Sequence, residues 1–365
     1  METVTIIGAG ASGLACMNTL IKNKEYQIFV LEQSQKSARK ILASGNGRCN
    51  ISHRHIQMNS YNTDHPIIRH IIEQFDVHRF FDALSLKLRY EGDLIYPYSL
   101  SSLSVKNALL KHKDETVFIE QCEVLRIEKD KNYKLITSQG IYHSDKIVIA
   151  TGSPASHLSG EHNLDMLKKL KVQLVPFSPS LVQLKTRPVY KTLKGLRVKA
   201  TVYLYDGRHL TDEKKGEVLF TDYGLSGICI MQLSRHVENL RQPRIVIDLL
   251  PELAYDEFKR YGADGLFHEK LAALLNDKKS DPKHLIFDVT GTMGIDKAQV
   301  CHGGVSLDEI DENLQLKKYP GIYVCGEALN VDGDCGGYNL HFAFASGEYA
   351  AKKIIGEKCE NNICY

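Results

Sequence analysis

Thr3-Val4-Thr5-Ile6-Ile7-Gly8-Ala9-Gly10-Ala11-Ser12-Gly13 stands at the start of the chain and decides how the rest is read. The first five residues form a β-rich apolar run of the length of a buried strand. The glycines follow at once, and helix-forming sequence then continues to about Asn23. A second apolar run, Gln27-Ile28-Phe29-Val30-Leu31, ends in Glu32. Each part has a physical task. Gly8 permits a tight turn, Gly10 lets backbone approach a pyrophosphate, and Gly13 lets helix and strand pack closely. Ala11 and Ser12 begin the helix, whose first N–H groups and positive dipole end attract phosphate. Glu32 is placed to accept hydrogen bonds from ribose hydroxyls. Together these predict a dinucleotide-binding βαβ unit, without separating FAD from NAD.

Three later segments favour FAD. Lys146–Gly152 is a buried strand running into the turn Thr151-Gly152. Gly321-Ile322-Tyr323-Val324-Cys325-Gly326-Glu327 is a strand ending in glycine and an acid. Asp332, Gly333, Asp334, Gly336, Gly337, Tyr338 and Asn339 then lead into a helical run to about Ile355. A glycine-rich turn feeding a helix N-terminus suits the flavin end of FAD, where negative charge develops on reduction.

The segment Ala38-Arg39-Lys40-Ile41-Leu42-Ala43-Ser44-Gly45-Asn46-Gly47-Arg48-Cys49-Asn50 resembles the second signature of a family of three-domain bacterial FAD-binding oxidoreductases. That family includes aminoacetone oxidases, a bile-acid-inducible reductase and a ribosomal RNA dihydrouridine synthase. Further resemblance lies in Pro179-Ser180-Leu181-Val182, Gly216–Thr221, Gly224-Leu225-Ser226-Gly227, Thr290-Gly291-Thr292-Met293 and Gly303-Gly304-Val305. The chain departs from the pattern at Ala38 (usually Gly), Asp222 (often His) and Ile228 (often Pro). A glycine-rich stretch is also shortened to Gly152-Ser153-Pro154 through Gly160-Glu161-His162. The resemblance implies that Arg39, Lys40, Arg48, Cys49 and Asn50 line the cofactor and reach toward the flavin.

The expected architecture is α/β: a Rossmann-type FAD-binding domain, discontinuous in sequence, with an inserted β-rich domain and a small helical cap. The FAD domain is assigned to 1–155 plus 297–365, the β-rich domain to 156–250 and the helical one to 251–296. Strands are read at Leu181–Lys185, Val198–Tyr205, Val218–Thr221 and Arg244–Leu250, and short helices at Tyr255–Arg260 and His268–Leu275. Asn276–His284 reads as a solvated connection.

Composition agrees with an ordinary globular chain of 365 residues, 43% hydrophobic and 25% charged. A net charge of +2 argues against a generally basic nucleic-acid coat. Nine cysteines without a C-x-x-C pair or zinc spacing point to a reducing compartment and to no metal. Cys359 and Cys364 read as unpaired tail thiols. No run of about 18 uncharged apolar residues is present to span a membrane. The N-terminus enters a needed strand directly, so a cytoplasmic protein without a signal peptide is expected.

The flavin carries the hard chemistry, and no Ser-His-Asp pattern is expected. Asn50, Tyr338 and His302 are the catalytic candidates. Tyr338 and Asn339 suit either a helix cap or a flavin contact, and a structural role in a turn is preferred for His302 over that of a general base. A packed Cys49 is preferred to a redox thiol. Lys185, Arg187, Lys191, Lys194, Arg197 and Lys199 form an acid-free basic stretch. It reads as the wet face of a hairpin in preference to an RNA footprint.

Two activities follow. The preferred one is oxidation of a small amine or aminoketone, such as aminoacetone, by non-covalent FAD, with oxygen as acceptor and hydrogen peroxide as product. The other is reduction of a carbon–carbon double bond, in an enone or a ribosomal RNA uridine, with NAD(P)H visiting the flavin transiently.

Overall fold

The computed structural model describes residues 1–158, 163–278 and 280–361. Gly160, Glu161, His162 and Cys364 lie outside the described residues, and Cys359 outside those whose side chains are described. Two compact units emerge, Met1–Phe177 with Val300–Tyr365, and Ser178–Gln299.

The first unit is built on five parallel strands: β1 (Glu2–Ile7), β2 (Tyr26–Leu31), β3 (Val117–Ile119), β4 (Lys146–Ile149) and β5 (Ile322–Val324). Their spatial order is β5-β4-β1-β2-β3. Val4 pairs with Ile28 on one side and Lys146 on the other. Val4, Ile6, Val30, Ile147, Val148, Ile149, Ile322 and Val324 are all buried, as expected of parallel strands covered on both faces. The chain leaves β1 for β2 on one flank and later returns to β4 on the other. A switch in direction therefore falls between β1 and β4, where open α/β sheets bind ligands at the carboxyl ends of their strands.

Helix α1 (Ala11–Leu20) is buried from Ser12 to Leu20. Buried all round, polar Ser12, Asn18 and Thr19 included, it packs as a core helix and not as an amphipathic one. The last helix, α2 (Tyr338–Asn361), lies against it. A Cβ on Gly347 would sit 2.1 Å from the Ser12 carbonyl oxygen, so only glycine allows this approach.

The second unit contains a closed barrel of six strands. Leu184, Val202, Leu204, Phe220, Leu225, Ile245, Ile247, Leu285 and Phe287 share its buried cluster, together with Leu271, Ala272 and Leu275 of the helix Glu269–Lys278. The run read at Val218–Thr221 is the end of a longer strand, His209–Phe220. Its first half is polar and largely exposed, so no apolar alternation marked it. The Leu285–Thr292 strand was also missed. Helix Tyr255–Leu266 outruns the expected end at Arg260, with Gly262 at φ +66 inside it. The connection expected from Asn276 begins later, because the preceding helix continues to Lys278. Two departures from the family pattern are solvent-facing here. Asp222 pairs with Lys194 at 2.6 Å, and Ile228 is 61% exposed at a helix start.

Candidate functional site at the carboxyl ends of the parallel strands

The glycine turn after β1 forms as its spacing demands. Gly8 has φ +104, and a Cβ there would come within 2.5 Å of the Ala150 carbonyl oxygen. A Cβ on Gly13 would come within 1.9 Å of the Gly8 oxygen. Gly10 is different, since nothing lies within 4 Å of a Cβ placed on it. It caps α1 with no side-chain hydrogen bond, and the first turn of the helix contains no acid. Uncapped N–H groups beside open space form an anion cradle. Pyrophosphate fits it.

Glu32 follows β2 and is oriented by two backbone donors. Its Oε2 accepts from the Ala9 N–H at 2.7 Å and its Oε1 from the Ser34 N–H at 2.8 Å. Each oxygen retains a lone pair for a ribose hydroxyl. The loop after β3 closes beside it, with Glu32 N donating to Ile119 O and Cys122 N donating to Glu32 O, both at 2.9 Å. Sequence reasoning missed that loop, which has no motif of its own.

A second set of polar groups gathers after β4 and β5. Lys40 Nζ donates to Glu327 Oε2 at 2.9 Å and to the Ser153 carbonyl at 3.1 Å. Gly152, at φ +73, leaves 3.9 Å between a Cβ there and Glu327 Oε2, and Thr151 precedes it in the turn after the strand. A Cβ on Gly326 would meet Ser12 Oγ at 2.4 Å, so this turn rests on the first turn of α1. Among the described residues, Glu327 Oε1 and Asn50 Oδ1 are buried without a hydrogen-bond partner. Leaving such an acceptor unmet costs about 1–3 kcal/mol, so each calls for an outside donor. A cofactor carrying hydroxyl and N–H groups meets that need.

Cys301, unnoticed in the sequence, lies in the same surroundings. Burial foremost, then Glu327, raises its thiol while Lys40 lowers it, leaving it at about 12. Burial likewise pushes the Cys49 thiol up to about 11, against a lowering contact from Ser44. Both thiols stay protonated at neutral pH, which fits a packed Cys49.

The loop that leads to Asn50 starts from strain. Ala38, where the family pattern has glycine, sits at φ +60 and is buried. Arg39 is exposed. Arg48 turns to Glu91 at 3.7 Å and lies 4.6 Å over the Tyr96 ring. Tyr96 is buried, and Tyr98 is exposed beneath Arg89.

The segment before α2 is pinned from two sides. Asn339 Nδ2 donates to Gly333 O at 2.8 Å and Asp334 O at 3.3 Å, and its Oδ1 accepts from Gly333 N–H. These bonds hold the turn ahead of the helix, and none of them goes to a helix N–H. Asp334 N donates to Ser60 O. A Cβ on Gly337 would lie 2.6 Å from the Ser52 carbonyl, and this close approach brings Tyr338 to stack on His53 at 5.4 Å between centroids. His302 lies on the strand Val300–Val305, not in a turn. Its Nδ1 is 3.1 Å from Oδ1 of Asp332, a carboxylate 2% exposed.

The HI0933-like protein Rossmann domain model matches residues 2–353. A 3-dehydro-bile acid delta(4,6)-reductase of Clostridium scindens is 30% identical, over 98% of this chain and 100% of its own length. A ribosomal RNA dihydrouridine synthase of Escherichia coli is 26% identical, over 97% of this chain and 98% of its own. The open conformation of a flavocytochrome c3 fumarate reductase aligns with a TM-score of 0.45 at 14% identity, over 96% of this chain and 78% of that one. Among the described residues no helix is long and apolar enough to cross a membrane.

Proposed function

The chain belongs to the HI0933-like family and is an FAD-dependent oxidoreductase, and from that premise we propose that it reduces a carbon–carbon double bond conjugated to a carbonyl. The observation that carries this reading is the whole-length likeness to a relative named as a delta(4,6)-reductase. A second whole-length relative, named for making dihydrouridine in ribosomal RNA, supports it. Both names describe hydrogen added across a ring double bond.

In this reading the N–H groups from Gly10 to Gly13 take the pyrophosphate and Glu32 takes a ribose. Glu327, oriented by Lys40, accepts from a cofactor hydroxyl, and Asn50 accepts from an N–H of the flavin. Thr151 and Gly152 line the same crevice. Asp334, Gly337, Tyr338 and Asn339 form the turn that holds the flavin end. Bound FAD, held without a covalent link, supplies hydride transfer. NAD(P)H is the transient reductant, and the organic substrate is a small enone or an RNA uridine.

The test starts from the purified holoenzyme, whose flavin should be released by acid as FAD. The flavin is reduced with dithionite without oxygen and mixed with a 3-oxo-Δ4 steroid or a ribosomal RNA fragment. Recovery of the oxidised flavin band with either probe supports reduction. Failure with both, together with anaerobic bleaching of oxidised flavin by aminoacetone, would install the small-amine oxidase in its place.

A further inference from the structure

We propose that Arg48 and Arg89 form an oxyanion receptor beside the loop that leads to Asn50. It takes a singly charged, two-oxygen group of the organic substrate, a carboxylate or a phosphodiester. The proposal rests on the reductase reading above. Strands Leu88–Glu91 and Leu94–Pro97 pair antiparallel, with Arg89 opposite Tyr96 and Glu91 opposite Leu94. Opposed residues, and residues two apart on one strand, share a face. Arg89, Glu91, Leu94 and Tyr96 therefore stand on one face of this small sheet, and His53, opposite Leu94, joins them.

The turn before α2 meets that face. A Cβ on Gly336 would lie 3.7 Å from Leu94 and 3.8 Å from His53, and His53 stacks on Tyr338. Tyr96 is one same-face step from Leu94, about 7 Å along an extended strand. The loop that leads to Asn50 comes down on that tyrosine. A Cβ on Gly45 would be 3.9 Å from the Tyr96 ring and 3.8 Å from the Asn50 side chain. In the reductase reading the turn and Asn50 hold the flavin end, so Arg48 and Arg89 stand beside the residues that hold it.

Arg48 is fixed in place with its donors unanswered. Its guanidinium lies 4.6 Å over the buried Tyr96 ring, and Glu91 is 3.7 Å away, too far for a hydrogen bond. Among the described residues its side-chain N–H groups meet no acceptor within hydrogen-bond reach. Arg89 meets the other Glu91 oxygen at 2.7 Å and lies 5.4 Å over Tyr98. Two guanidiniums against one carboxylate leave one positive charge to be matched, which suits a monoanion. The planar fork of a guanidinium fits two oxygens on one centre. The two arginine side chains are 44% and 39% exposed, so such a group reaches them from solvent.

Held there, the substrate is gripped by a group that takes no part in the electron transfer, and its double bond is presented in one orientation. Arg48 then serves the substrate. The resemblance of its segment to the family signature implies a cofactor contact instead, and the two roles are separable by experiment.

Equilibrium binding to the oxidised holoenzyme, followed at the flavin absorbance band, tests the receptor without turnover. The probes are a 3-oxo-Δ4 steroid with a side-chain carboxylate, its methyl ester, and a ribosomal RNA fragment. Arg48→Gln and Arg89→Gln should each weaken the anionic probe about 10–100-fold, the scale of hydrogen bonds lost to a charged group. If the carboxylate is the source, the preference for acid over ester collapses; if the phosphodiester is, the RNA fragment is the probe that weakens. Glu91→Gln should act in the opposite sense and tighten the same probe, which damage to the fold would not do. Equal binding of acid and ester, together with RNA binding that ignores all three variants, overturns the receptor alone. So does loss of FAD from Arg48→Gln, which returns that arginine to the cofactor. In single turnovers, a reduced flavin that none of the three probes reoxidises overturns the reductase reading, and the receptor's role in holding its substrate with it.

Discussion

Lys40 and Glu327 in the parallel-sheet unit meet at 2.9 Å with the glutamate side chain only 17% exposed; in the barrel unit, Lys194 and Asp222 meet at 2.6 Å with side chains 63% and 49% exposed. The first pair is partly removed from water and leaves Glu327 Oε1 without a partner. The second stays in water, where an ion pair contributes about 0–1 kcal/mol. The glycines draw no such contrast: Gly8, Gly13 and Gly347 are forced by backbone contacts in one unit, and Gly224 and Gly227 in the other. Unmet buried polar atoms occur in both units, at Gln183 and Thr201 of the barrel unit as well, so what distinguishes the crevice is a largely buried carboxylate, that of Glu327, with only one of its oxygens answered.

The largest effect should come from Gly10→Val. The surroundings of Gly10 admit a side chain without a clash, so the fold should persist while the pyrophosphate space is filled. The protein should purify with a wild-type circular dichroism spectrum and no yellow colour. Retained FAD would place the pyrophosphate elsewhere.

Acid should next separate the two units. His341 is buried, its Nδ1 2.8 Å from Ser52 Oγ, and desolvation drops its pKa to about 4, opposed by the Ile72 carbonyl. The unfolded chain takes up a proton near the ordinary histidine pKa of about 6.5, and the folded chain resists it until about 4. Stability present above pH 6.5 is thus lost as pH falls through that window, on the order of 3 kcal/mol from this residue. Urea titrations at pH 7 and 4.5 should show the loss, and it should shrink in His341→Gln.

Glu32→Ala should weaken FAD by about 1.5–3 kcal/mol, the scale of a hydrogen bond to a charged acceptor. Equilibrium titration of apoprotein measures it. Ala38→Gly should stabilise the protein by about 1 kcal/mol, because alanine pays for a left-handed backbone at φ +60 that glycine adopts freely. Thermal melts provide the check.

The smallest effect is expected on the barrel. Lys194 pairs with Asp222 and Arg197 with Glu217, so two of the three charges of the Lys191, Lys194 and Arg197 trio are already answered. Replacing all three with Gln should leave FAD affinity unchanged and shift stability by less than about 1 kcal/mol. If ribosomal RNA is the substrate, RNA affinity should instead fall in the variant. Its salt dependence should then weaken by about 0.7–0.9 log units per log unit of salt for each phosphate contact removed.

The parallel-sheet unit was legible because its information is local. Strand, Gly8-Ala9-Gly10, helix, strand and Glu32 follow one another within a single βαβ unit, and spacing alone constrains them. What escaped was distant or polar. Lys40 and Glu327 are 287 residues apart and Asn62 and His302 240, so neither contact leaves a local pattern. His302 looked solitary because Asp332 lies thirty residues on, in a segment read as a flavin turn. His209–Gly216 was missed for another reason, since a strand with both sides wet has no hydrophobic period to detect.

The contact between Gly347 and Ser12 ties the last helix to the first. On the ribosome, therefore, the first βαβ unit emerges with its anion cradle already written, yet the helix that packs on it is made only after the barrel segment. The barrel segment, continuous from Ser178 to Gln299, can close earlier, because every strand it needs has left the exit tunnel by then. A nascent chain would thus carry a finished barrel beside an unfinished nucleotide unit. Cofactor capture would then wait for the helix Tyr338–Asn361, and a chain cut before that helix should lose FAD while keeping the barrel.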